Sequence, residues 1–207
     1  ESRGTILSGK IVGLTGGIAC GKSNIARTLK SYQVPVIDTD EISHTLTKPG
    51  GAALGALRDG FGGAVFHDNG ELNRAALAQV VFTDEQKRGK LNAIMHPMIF
   101  EEMERRLAAL SHEPVVVLEI PLLFETGSQR YCDEVWTAHV PYEEQLRRLM
   151  KRGISHQQAV ARIQSQLPGE ERNRLADHII DTSGSYEQTQ LQVDALWQDL
   201  KRRLRLV

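Results

Sequence analysis

Gly16, Gly21, Lys22 and Ser23 are the residues of this 207-residue chain whose types and spacing speak most directly of chemistry. Within GLTGGIACGKS, Gly13 to Ser23, they satisfy G-x-x-x-x-G-K-[ST], a phosphate-cradling pattern. Glycines let the backbone turn tightly, so that successive N–H groups point inward at phosphate oxygens, and the start of a following helix adds its positive dipole end. Lys22 supplies a point charge for the outer phosphates of a nucleoside triphosphate, and Ser23 offers a hydroxyl to Mg²⁺.

Such loops serve switches, motors and kinases alike, so other residues must discriminate. The N-K-x-D stretch that reads guanine in GTPases does not occur, and Glu119 is followed by Ile120 rather than by a second acid, a poor match to a motor ATPase. VIDTD instead puts Asp38 and Asp40 at the end of an apolar run, which in an open α/β sheet is the edge where ligands bind. One carboxylate could take the proton of an acceptor hydroxyl during phosphoryl transfer, whereas the alternative for either acid is an ordinary helix N-cap. In QLRRLMKR, Arg148 and Arg152 stand four apart on one helix face beside Arg147 and Lys151. Alone this would be a solvated face; with a phosphate loop in the same chain it reads as a mobile lid whose cations stabilise the transferred group and exclude water. The seven histidines show no zinc-ligand spacing, and His96, before Pro97, reads as an N-cap, a packed residue or a substrate contact.

The elements that must position these groups follow from periodicity. KIVGLTG, VPVID, PVVVLEI, EVWTAHV and HIID are short continuous apolar runs separated by helical stretches, the pattern of a parallel sheet covered on both faces. The expected fold is α/β, a doubly wound parallel sheet in a three-layer core like that of P-loop NTPases and nucleotide kinases. One domain is expected over 10–207, with a helical insertion at about 49–110, read either as extra packing or as a shelf that binds the acceptor, and a lid at about 142–168. Inside the insertion, Asn69 and Gly70 make a turn, Asn73 reads as an N-cap, Thr83 to Gln86 as a capping box, and HPM starts a new helix with Pro97 at its first position, followed by an apolar stripe of Phe100, Met103, Leu107 and Leu110. Ser155 and Gln158 read as another capping box, and the last helix carries Leu191, Leu196, Leu200 and Leu204 as its apolar stripe.

A net charge of −1 and 41% hydrophobic residues argue for a globular chain with no field for nucleic acid or membranes, so a polyanion must be held by a local site. Two cysteines, Cys20 and Cys132, make no disulfide framework, and no apolar run is long enough to span a bilayer, so the expected compartment is the cytoplasm. The first nine residues read as a processed or appended end, and the oligomeric state is left open, a monomer among the options.

GLTGGIACGKS, VIDTDEI, LNAIMHP, EIPLLFETG, QLRRLMKR and ADHIIDTSG occur in an order and spacing that closely resemble the dephospho-CoA kinases, from Ile11 to about Gly184. The resemblance implies transfer of the ATP γ-phosphoryl group to the ribose 3′-hydroxyl of dephospho-CoA, the last step of coenzyme A synthesis, with Mg²⁺. It implies that Gly17 and Ala19, Cys20, Gly21, Lys22, Ser23 and Asn24 hold the ATP phosphates with Arg148 and Arg152 of the lid, and that Asp40 is the general base. Arg74, His96 and Leu122 would meet the acceptor, Leu122 within the segment Ile120 to Glu125, and Glu119 would help position the Mg²⁺ shell. The chain departs from the family's usual GGIGSGKS at Ala19 and Cys20, and from its usual Asn at Thr182. Lys22 and a helix start beside Cys20 lead to the expectation of a reactive thiolate that ATP protects. A kinase for another small acceptor, and a nucleotide switch without transfer, are the competing readings.

Overall fold

The protein is described by a computed structural model covering residues 9–82 and 84–206. Val, Ile and Leu crowd into the runs that become strands because a strand between two helical layers is apolar on both faces. In chain order the regular elements are β1 (Lys10–Gly16), α1 (Lys22–Ser31), β2 (Val36–Asp38), α2 (Thr39–Thr47), α3 (Leu54–Phe61), α4 (Arg74–Phe82), α5 (Glu85–Ala109) and β3 (Val115–Glu119). They continue with β4 (Glu134–His139), α6 (Tyr142–Lys151), α7 (His156–Gln164), α8 (Gly169–Leu175), β5 (His178–Asp181) and α9 (Tyr186–Leu204). The sheet order is β2-β3-β1-β4-β5, a five-stranded parallel sheet, so β1 is central and carries its following loop to the middle of the sheet edge.

The chain forms two compact units. The first, residues 9–37 and 110–206, is built on the sheet. Its core joins Val12 and Leu14 of β1, Ile25 and Leu29 of α1, Val115 and Val117 of β3, Trp136 of β4 and Val193 and Leu200 of α9. The second, Asp38–Ala109, is helical, with Ala53, Leu57, Val65, Phe66, Leu77 and Met95 at its centre. Asn73 caps α4 by accepting from the Ala76 amide at 3.0 Å, and a turn at Asn69 and Gly70 precedes it.

Two expectations within the helices are corrected. Pro97 does not open a helix: it lies inside the 25-residue α5. Its missing N–H removes one hydrogen bond, but its ring is exposed, and Met95, Met103 and Leu107 bury the opposite side on both flanks. Thr83, the first residue of the expected capping box, lies outside the described residues; the cap seen at that start is Asp84, which accepts from the Lys87 amide at 3.0 Å. Leu191 is 69% exposed, because Thr189, Val193 and Leu200 define the buried face of α9 and position 191 lies about 200° around the helix from 193.

An ion pair between a buried carboxylate and a partly exposed guanidinium ties α9 to the sheet. Glu134, 8% exposed, accepts from both Nη atoms of Arg203 at 2.9 and 3.1 Å and from the Trp136 indole at 2.8 Å. Burial alone pushes its carboxyl up, but hydrogen bonds from Arg203 and Trp136 and the charge of Arg203 hold it below the ordinary value of 4.5. A folded value below the unfolded one gives stability that is full above the unfolded value and lost as pH falls through the folded one. Arg203→Ala is therefore expected to destabilise by about 1–3 kcal/mol near neutrality and by less in acid. Urea unfolding at pH 7 and pH 4 checks this, and an equal loss at both would show that the pair is not what the substitution removes.

Candidate active site

At the end of β1 the chain must reverse into α1 within five residues. Gly21 does this as the N-cap of α1 with φ +75°, and no side chain caps the helix. The Lys22 and Ser23 amides at the start of α1 thus meet no capping side chain, which is the arrangement a phosphate requires. The Cys20 amide donates to the Gly17 carbonyl and the Asn24 amide to the Gly21 carbonyl, each at 3.1 Å, closing the turn. Ser23 is exposed, so its hydroxyl can reach a hydrated cation. Lys22 Nζ stands 3.5 Å from Glu119 Oε1, and Glu119, 7% exposed, pairs in register with Leu14 of β1 at the end of β3. The ammonium is thus held by a buried carboxylate from the neighbouring strand.

Residues Ile18 to Cys20 are bound on their carbonyl side by side chains from later in the chain. Arg148 donates from Nη1 to the Ala19 carbonyl at 3.3 Å and from Nη2 to the Thr182 carbonyl at 2.5 Å, while its Nε meets Glu144 at 2.7 Å. Thr182 in turn donates through Oγ1 to the Cys20 carbonyl at 2.5 Å. Gln145 and Gln166 bond Ile18, a role that sequence reasoning missed. Glutamine has neither charge nor periodicity to mark it; the only hint was Gln145, three residues ahead of Arg148 on the same helix face. Arg152 is the exposed C-cap of α6 and supplies none of these bonds.

The two departures in the loop now have physical consequences. Cys20 is 4% exposed, and burial pushes its thiol up, outweighing the backbone donors at Val140 and Gly17 and the charges of Arg172 and Arg148. The expectation of a reactive thiolate is therefore wrong: the side chain turns into the core, where the charged form is penalised. Ala19 has φ +61°, the left-handed region that costs an L side chain about 1–2 kcal/mol. Ala19→Gly relieves that cost but loosens the unfolded chain, so a net gain of about 0.5–1 kcal/mol and a Tm higher by about 1–4 °C are expected. Calorimetry with and without ATP reads it, and an unchanged or lower Tm would mean that the loop carries no such strain.

The second unit holds Asp40, Arg74 and His96. Asp38 is the N-cap of α2, accepting from the amides of Asp40 at 2.8 Å and Glu41 at 3.4 Å. Asp40, the second residue of α2, is exposed. The capping role therefore falls to Asp38. Arg74 is the exposed first residue of α4. His96 is a half-buried interior residue of α5, edge-on to Phe100 at 6.1 Å, which removes the N-cap reading. Leu122 belongs to the first unit, 39% exposed in the turn after β3.

A parallel sheet whose central strand ends in a Gly-rich turn, an uncapped helix start and a lysine defines a P-loop protein of the nucleotide-phosphate-binding class. Residues 10–188 match the family model described as dephospho-CoA kinase, and the chain belongs to that family. A dephospho-CoA kinase from Carboxydothermus hydrogenoformans is 42% identical over 92% of this chain and 94% of its own. A crystal structure from Thermus thermophilus superposes with a TM-score of 0.80 at 34% identity, covering 93% of this chain and 98% of that one. The dephospho-CoA kinase from Campylobacter jejuni has a TM-score of 0.64 at 26% identity, covering 92% and 96%. No helix among the described residues is long and apolar enough to cross a membrane.

Proposed function

We propose that the protein transfers the γ-phosphoryl group of ATP to the ribose 3′-hydroxyl of dephospho-CoA, and that the site residues named above divide the work. The loop from Gly16 to Asn24 holds the triphosphate through its amides, with Gly17, Ala19, Cys20 and Gly21 contributing backbone rather than side chains. Lys22 neutralises charge on the β and γ oxygens as the bond to the leaving ADP breaks. Arg148, and Arg152 with it, add cations from α6. The helices α6 and α7, within 142–168, act as the lid. Asp40 accepts the proton of the attacking hydroxyl as its oxygen bonds to the γ-phosphorus, while Arg74, His96 and Leu122 orient the acceptor. Mg²⁺ bound with ATP would supply charge neutralisation to the transferred group. Ser23, with its exposed hydroxyl at the helix start, fits as the ligand from the chain, and Glu119 holds Lys22 in place.

The observation that carries this reading is the uncapped start of α1 behind Gly21, with Lys22 braced by the buried Glu119. The test is ADP release with Mg-ATP against dephospho-CoA, nucleosides, nucleoside monophosphates and no acceptor, with the product identified by mass. Release with dephospho-CoA, giving CoA, is expected. Release with another acceptor alone would reassign the second unit's residues, and acceptor-independent release would favour a nucleotide switch.

A further inference from the structure

The backbone of Ile18 is gripped from two sides. Gln145 Nε2 of α6 donates to its carbonyl at 2.6 Å, and its amide donates to Gln166 Oε1, just past α7, at 2.7 Å. Gln145 is 8% exposed, so its bond is shielded from water. Ile18 and Ala19 also pack on the cluster of Leu146, Leu149 and Ala159, the seam between α6 and α7. Arg172, 4% exposed, donates to the Leu167 carbonyl at 2.6 Å and so secures the turn that carries Gln166. A Cβ on Gly17 would come 2.7 Å from Gln145 Nε2 and 3.1 Å from Arg172 Nη1; glycine stands there because the clamp occupies the space.

From this we infer that Gln145 and Gln166 are positioning residues that set the ATP affinity of the loop, by fixing Ile18 and thereby aiming the amides of Gly21, Lys22 and Ser23 at the triphosphate. The inference rests on the reading of this loop as the ATP site. It makes the helices α6 and α7 more than a cover: they hold the cradle in shape, and the order they lend to the loop is an ordering that ATP binding need not supply.

The direction of the two bonds gives the test. A carbonyl must be met by a donor and an amide by an acceptor, so Gln145 has to donate and Gln166 has to accept. An ionised glutamate can replace only the second. Q145E and Q166E place the same charge against the same residue, so the difference between them reads the direction of the bonds.

Q145E is expected to raise KM and Kd for ATP at least 10-fold above Q166E, with KM for dephospho-CoA within about 2-fold of the parent; a lost shielded hydrogen bond is of that size. Q145A and Q166A should each weaken ATP about 10-fold, with Tm within a few degrees of the parent. Equal ATP affinity in Q145E and Q166E, or KM values for both substrates moving together with Tm, would overturn the clamp. Lys22→Ala separates the two levels of argument. If it leaves ATP affinity and turnover intact, the reading of the loop fails. If it abolishes turnover while the glutamine variants stay silent, only the clamp fails.

Discussion

Lys22→Ala is expected to lower kcat by about 10²–10³-fold while changing KM for dephospho-CoA little, the size of effect seen when one preorganised donor is removed from developing oxyanion charge. The expectation follows from how the ammonium is held. Lys22 opens α1, and its Nζ lies 3.5 Å from Glu119 with only 18% of the side chain exposed. A cation so placed needs no reorganisation when charge builds on the phosphoryl oxygens, which is why its removal falls on kcat. The same substitution leaves Glu119 buried without that partner, so a fall in Tm accompanies it. Lys22→Met, which restores the packed stem without the charge, separates the two effects: Tm recovers part of its loss and kcat does not. Full activity in either variant, measured by coupled ADP release, would take phosphoryl stabilisation away from Lys22.

Much of this site could be read before any coordinates, because its parts are local. The phosphate loop is one continuous spacing between a strand and a helix, and the five strands stand out because a sheet covered on both faces needs unbroken runs of Val, Ile and Leu. What was illegible is what tertiary packing decides. Pro97 carries a helix-start signal that the packing of Met95, Met103 and Leu107 overrides. Cys20 has cations nearby in sequence, but its fate depends on whether the side chain turns toward the phosphate or into the core, and it turns in. Thr182 stood out only as a departure from the family's Asn, yet its hydroxyl holds the Cys20 carbonyl across 162 positions of chain. Gln145 and Gln166 are silent in sequence for the same reason: an amide that serves a distant backbone group needs no local pattern.

Asp38 and Asp40 give the sharpest contrast, since the two acids stand two residues apart and the structure gives them different work. Asp38 Oδ1 accepts from two amides of α2, a bond set that asparagine can reproduce, so Asp38→Asn should keep both fold and turnover close to the parent. Asp38→Ala removes the cap and should cost about 0.5–2 kcal/mol of stability. Asp40 is an exposed residue of the helix's first turn, and asparagine there keeps shape and polarity while losing the ability to take a proton. If Asp40 is the general base, Asp40→Asn lowers kcat by about 10²–10⁴-fold with Tm unchanged. Because the base acts only on the attacking hydroxyl, the variant should still bind ATP with parental affinity by calorimetry, unlike the variants of the loop and its clamp. A loss of activity larger in Asp38→Asn than in Asp40→Asn would exchange the two roles, and parental kcat in Asp40→Asn would mean that the hydroxyl gives up its proton without a carboxylate at this position.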